Sequence, residues 1–208
     1  MFENNRMVES MSITAEVAIP TRALQARRAA AHAVAEPFND ADAFWALRLK
    51  KPSPNLRERR RELIDLVNRV SESPGVVLFH AVEAGVPTYV VNMIAGATGE
   101  PITAVMDLIG VSQTTFRRKE EAKERLPDVA GHRIMGYLRV VATLRRLLAE
   151  SGDPEQLKSF DVEAWVAQWM REALPELGGK TPAEMLRNPE GQRAVEQVLE
   201  RMRGGLAG

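Results

Sequence analysis

Apolar residues at helical spacing recur along most of this chain, and no stretch of useful length alternates as a strand would. Leu63, Leu66, Val67 and Val70 form one such face. Ile102, Val105, Met106 and Ile109 follow the i, i+3, i+4, i+7 pattern, as do Val195, Val198, Leu199 and Met202. Ile134, Leu138, Val141 and Leu148 mark a longer helix, and Val162, Trp165, Val166 and Trp169 mark the next. Glycines and prolines punctuate these faces. Pro74–Gly75 ends the first, and Gly85 and Pro87 close a helix running from Val76 to Ala84. Thr88 is expected to cap a helix bearing Val90, Val91, Ile94 and Ala95, and Glu100–Pro101 to open another that stops at Gly110. Such a pattern predicts an all-α fold.

The first 55 residues behave differently. Residues 1 to about 20 have no sustained period and are expected to be disordered. The Ala-rich stretch from Thr21 to Glu36 favours helix but has few large apolar groups to bury. Asn39–Asp40 suit the cap of a short helix carrying Phe44, Trp45 and Leu47, ended by Pro52 and Pro54. The chain of 208 residues balances 28 basic against 28 acidic side chains, which excludes a global field towards nucleic acid or membrane. That balance hides an asymmetry: Thr21 to Arg61 carries an excess of about six positive charges, while the stretch from Glu150 onward is acidic. Cysteine is absent, removing thiolate chemistry and disulfides and fitting a reducing compartment. No apolar run approaches the roughly 18 residues that cross a bilayer, and no secretory signal opens the chain. A cytoplasmic protein with no membrane partner is expected.

Two segments carry motifs. Ile102 to Glu121, ITAVMDLIGVSQTTFRRKEE, has the form of a helix-turn-helix. Gly110 suits the positive φ of the turn, Ser112 can cap the second helix, and Val111 and Phe116 would plug the space between the two. Ser112, Gln113, Thr114, Arg117 and Arg118 would then project from a recognition helix. Gln and Arg suit base edges, while Lys119 and Lys123 suit phosphates. Met106 stands where a small residue usually allows close crossing, and Glu120, Glu121 and Glu124 interrupt the basic face. The second segment, LGGKTPAEMLRNPEGQRAVEQVLERMRGG, contains two helix starts in succession. Thr181, Pro182 and Glu184 make a capping box with proline at the first helical position. Asn188–Pro189 repeat the device, and Gly204–Gly205 are expected to stop the last helix.

Catalytic chemistry has little support. His32, His80 and His132 lie on separate segments with no carboxylate at metal-ligand spacing, and His132 is expected near the loop after the recognition helix. Ser112 has no neighbouring base, and GATGEP (Gly96 to Pro101) lacks the lysine and strand of a phosphate loop. Neither an enzyme nor a resident cofactor or metal is expected.

The C-terminal string closely resembles the C-terminal domain of the Xre/MbcA/ParS family of toxin-binding antitoxins. The resemblance extends backward through Trp169–Met170, GVSQTTFRR and LFHAVEAGVPTYVVNMIAGATG, from roughly Pro74 to Gly205. It implies an Xre-like helix-turn-helix domain followed by a small helical toxin-binding domain. The chain would divide into a partly disordered basic arm (1–55), a helical domain with the helix-turn-helix (56–150) and the toxin-binding domain (151–208). The implied partner is a RES-domain toxin, ADP-ribosyltransferase-like and using NAD, whose active-site cleft the C-terminal domain covers. Gly178, Gly179, Lys180, Thr181 and Pro182, with Arg201, Arg203, Gly204 and Gly205, carry that role by resemblance. A tight Gly–Gly corner permits close backbone approach to a partner. The helix-turn-helix half typically represses the pair's own promoter. Since a palindromic operator calls for a dimer, self-association is also expected. Two alternatives remain open on the residues: a transcription regulator whose C-terminal domain, with Trp165 and Trp169, serves only for dimerisation, and an antitoxin that has lost DNA binding.

The charge asymmetry generates a first test. A chain lacking residues 1–55 is expected to show a shallower salt dependence of non-specific DNA affinity in titrations across salt concentration. An unchanged slope would assign the arm another role.

Overall fold

In a computed structural model the described residues are 41–46, 53–151 and 160–202. The segment Thr21–Glu36, the Asn39–Asp40 cap, Leu47, Arg203, Gly204 and Gly205 lie outside them. The described helices run in chain order as α1 (Ala41–Trp45), α2 (Leu56–Glu72), α3 (Gly75–Glu83), α4 (Thr88–Thr98) and α5 (Ile102–Ile109). They continue as α6 (Gln113–Glu121), α7 (Asp128–Ser151), α8 (Val162–Trp169), α9 (Pro182–Met185) and α10 (Pro189–Met202). A 3-10 turn, Pro175–Leu177, precedes α9. Two isolated bridges, Val86 to Leu126 and Leu174 to Lys180, are the extended pairings present, and no strand occurs among the described residues. The fold is all-α.

Helix α7 organises the packing. Its 24 residues span about 36 Å at the usual rise. Ile134, Met135, Tyr137, Leu138, Val140, Val141, Leu144 and Leu147 are all buried, so its middle is apolar around most of its circumference rather than along one stripe. That is the signature of an interior helix. α2, α3, α5, α8 and α10 all pack on it. Gly136 provides the close approach for the last part of the chain, since a β-carbon there would lie 3.1 Å from atoms of Leu186 and Gln192. The Gln192 amide then donates to the His132 and Leu186 carbonyls at 3.2 and 3.3 Å.

Ion pairs join the same elements. Arg145 on α7 meets the buried Glu163 of α8 at 2.7 Å. Arg146 pairs with Glu200 of α10, Arg60 of α2 with Asp161 at the start of α8, and Arg171 with Glu100 before α5. Trp45, fully buried, donates its indole N–H to the Ala81 carbonyl at 2.9 Å and so docks α1 on α3.

Several local expectations change. Thr88 is the first residue of α4 rather than its cap; Pro87, extended at φ −62° and ψ 141°, takes the cap position without a side-chain bond. Helix α1 ends at Trp45, well before Pro52. α2 ends at Glu72 with Ser73 as its C-cap, and Gly75 starts α3 instead of ending α2. His132 keeps its expected place, exposed on α7 just past the connection 122–127 that follows α6. Leu148 is only half-buried, with Leu144 and Leu147 taking the interior positions.

Gly191 is the tightest contact in the C-terminal part: a β-carbon there would sit 1.9 Å from the Met185 carbonyl oxygen. Gly191→Ala must push α9 and α10 apart, and is expected to destabilise the protein by about 1–3 kcal/mol in urea denaturation. An unchanged midpoint would contradict this packing.

Candidate functional site

The C-terminal site is built from a corner. After α8 the chain turns through Pro175–Leu177, and Gly178 and Gly179 follow with φ of 65° and 76°. Two successive left-handed residues favour glycine strongly. Their backbone is tied inward: the Gly178 N–H donates to Pro175 O at 2.9 Å, Gly179 N–H to Leu174 O at 3.0 Å, and Leu174 N–H to Lys180 O at 3.0 Å. Outward, the corner is open, because a β-carbon on either glycine would meet nothing within 4 Å. The sharp turn is therefore demanded by conformation, and the space beside it is free for another molecule's backbone.

Thr181 then starts α9 through a complete capping box. Its hydroxyl accepts from the Glu184 N–H at 3.1 Å, and the Glu184 carboxylate accepts from the Thr181 N–H at 2.9 Å. That backbone bond, with lesser help from Lys180, holds the Glu184 carboxyl below its ordinary value against some desolvation. The Ala183 N–H reaches back to Met170 O at 3.0 Å, so α9 is anchored to the end of α8. Asn188 caps α10, accepting from the Gly191 N–H at 2.8 Å.

Of the residues expected here, Gly178, Gly179 and Lys180 are exposed, with the Lys180 ammonium 3.6 Å from Glu184. Thr181 is half-buried and Pro182 buried, so those two hold the corner's shape. Arg201 is exposed but sits at the far end of α10. There it lines a groove of about 900 Å³ between α7 and α10, with Arg139, Arg146 and Arg193. Sequence periodicity missed these three arginines as a group, because they come together only when α10 packs on α7.

The α5–α6 pair has the turn expected of it. Gly110 is left-handed at φ 68°, and the Val111 N–H donates to Met106 O at 3.0 Å. Ser112 caps α6, its hydroxyl accepting from the Thr115 N–H at 3.2 Å. Met106, Val111 and Phe116 are all buried, so the large Met106 side chain is accommodated inside. Gln113, Thr114, Arg117 and Arg118 are exposed on α6. Lys119 differs: it is half-buried and pairs with Glu124 at 2.7 Å, a contact that holds the Glu124 carboxyl below its usual value. Glu120 accepts from the Asn92 amide at 2.9 Å. Two of the interrupting glutamates are thus engaged within the chain.

Among the described residues no group of three or more His, Cys, Asp or Glu is placed to hold a metal, and no helix is long and apolar enough to cross a membrane. Trp165 and Trp169 stack with ring centroids 5.5 Å apart, and Trp169 is buried in the chain's own core.

Comparison with known proteins bears on the same region. Residues 152–205 match the family described as the antitoxin Xre/MbcA/ParS C-terminal toxin-binding domain. The chain is also similar to a protein from Sphingobium sp. (strain YBL2) named Prs ADP-ribosylating antitoxin, with 29% identity over 101 residues. That match takes in 49% of this chain and 62% of the relative's length.

The capping box gives the site a measurable signature. Thr181→Ala is expected to lower stability by about 1 kcal/mol in chemical denaturation. Because the Glu184 pKa is lowered on folding, its contribution is present above the ordinary value of 4.5 and lost as pH falls through the lower folded value. Comparing Glu184→Gln with the parent across that range checks the sign; a difference that grew on acidification would contradict it.

Proposed function

We propose, from the premise that this chain belongs to the Xre/MbcA/ParS antitoxin family, that it neutralises a RES-domain, NAD-using toxin by covering that enzyme's active-site cleft. The observation that carries this reading is a coincidence. The family match at residues 152–205 contains a corner, Gly178–Gly179, whose outward face is open while its inward face is fixed by hydrogen bonds and a capping box. A rigid exposed corner loses little entropy when a partner closes on it, which favours tight association. Lys180 and Arg201 add exposed positive charge able to meet acceptors that otherwise face a dinucleotide.

ADP-ribosylation appears in the name of the Sphingobium relative. We assign such a reaction to the toxin and none to this chain, whose described residues bring no nucleophile and base together at the corner. The domain division we adopt is functional: 151–208 binds toxin, 56–150 supplies the scaffold and α6, and 1–55 carries a basic arm together with α1, which docks on α3. DNA binding by α6 is supported by the exposed Gln113, Thr114, Arg117 and Arg118 on a capped helix following a left-handed glycine. Lys119, paired with Glu124, would have to exchange that partner to reach a phosphate. We infer a dimer acting on its own promoter, in the cytoplasm.

Two variants separate the activities. A chain ending at Glu200 is expected to lose rescue of toxin-arrested growth while keeping its helical circular dichroism; full rescue would overturn the cleft-covering role. Arg117→Ala with Arg118→Ala is expected to weaken promoter binding at least tenfold in mobility-shift titrations and leave rescue intact. Unchanged DNA affinity would remove α6 as the recognition helix.

A further inference from the structure

Between α4, α5, α7, α8 and α9 lies a cavity of about 330 Å³ that none of the preceding roles uses. Two of its groups are unsatisfied. The Tyr137 side chain is buried, with the residue 2% exposed, and its hydroxyl has no hydrogen-bond partner. The Arg133 Nε is also buried without one. A buried hydroxyl or guanidinium N–H left unpaired is unfavourable by about 1–3 kcal/mol, more where the group is charged, so native proteins rarely keep such groups without a reason. Here both line the same space.

Three carboxylates and three arginines line the cavity, and they are not all paired with one another. Glu100 is engaged by Arg171, and Glu184 by Thr181 and Lys180, while Asp107 is solvent-exposed. Arg133 and Arg187 have no ion pair among the described residues. Burial, and then the like charge of Arg187, hold the Arg133 guanidinium below its ordinary value. Arg133 and Arg187 line the same cavity as the unpartnered phenol, and an anion bound there could accept from all three. The Arg133 guanidinium cannot withdraw freely either, since it packs against the α5–α6 turn: a β-carbon on Gly110 would lie 2.0 Å from its Nη1. Around these polar groups the walls are apolar, formed by Ile94, Val105, Leu108 and Met170. A few convergent polar groups in an apolar hollow is the usual composition of a small-molecule site.

We propose that this cavity binds a small amphipathic carboxylate. Its anionic head is held by Arg133, Arg187 and the Tyr137 hydroxyl, and its apolar body lies against Ile94, Leu108 and Met170. The guanidinium groups and the phenol all donate, and a carboxylate offers enough lone pairs to accept from all three. The walls come both from the α5 helix and from the C-terminal α8–α9 region, so an occupant ties those parts together. This inference stands apart from the toxin reading and survives its failure.

The test uses the full chain and phenylacetate, with phenylacetamide and inorganic phosphate as controls, in calorimetric titration and thermal unfolding. Phenylacetate is expected to bind saturably and raise the Tm, and both controls to bind at least tenfold more weakly. Arg187→Ala, at an exposed position, and Tyr137→Phe, which keeps the ring in the core, are each expected to weaken binding about tenfold. Circular dichroism of both variants checks that they fold. Binding by the isolated chain also distinguishes a free ligand from an acidic side chain supplied by a protein partner. No saturable binding below about 10 mM would overturn the proposal. So would undiminished binding by both variants, or phosphate and phenylacetamide binding as well as phenylacetate.

Discussion

Burial of α7 is the constraint on which the rest of the structure depends. A helix with apolar residues around most of its circumference cannot remain at a surface. Five other helices cover it, and those nearest in sequence could not do so alone. α2 and α3 precede it, while α8 and α10 follow it, so the two ends of the described chain share one hydrophobic core. Removing α10 from α7 would expose Val195, Val198 and Leu199, together with the α7 residues they cover. At roughly 25 cal/mol per Å² of apolar surface, that exposure is unfavourable by several kcal/mol.

This arrangement explains how a short segment can offer a defined surface. α9 is only four residues long and could not hold its shape in isolation. Its start is closed by the capping box, and the Ala183 N–H bond to Met170 ties it to α8. Its end packs through Met185 against Gly191, and Leu186 inserts against α7 at Gly136. The Gly178–Gly179 corner therefore projects from a base fixed on three sides. The same packing creates the cavity of Arg133 and Tyr137, where α9 closes over α5 and α7 without filling the space beneath.

Features set by neighbours in sequence were legible from the residues, and features set by distant ones were not. The capping box of Thr181 and Glu184, the Ser112 cap and the left-handed Gly110 each rest on contacts a few positions apart. The apolar spacing likewise located nearly every helix. Thr88 misled because two candidates for the cap stood side by side. Proline's fixed φ suits a helix boundary, so Pro87 took the position and left Thr88 inside the helix. The Lys119–Glu124 pair was hidden for another reason. Lys123 adopts φ 53° and returns the chain under α6, where the Glu124 N–H donates to Lys119 O at 2.8 Å. No sequence spacing signals a left-handed lysine. The arginine groove between α7 and α10 and the unpartnered Tyr137 depend on helices that meet only in the folded chain.

We propose that the corner and the helices it introduces form the surface that receives a toxin. Amide hydrogen exchange, measured on the full chain alone and in complex with a RES-domain toxin, tests this most directly. The account predicts that protection is gained across residues 174–202, greatest at Gly178 to Lys180, with α6 unchanged. Protection gained along α6 while the corner continued to exchange freely would contradict it.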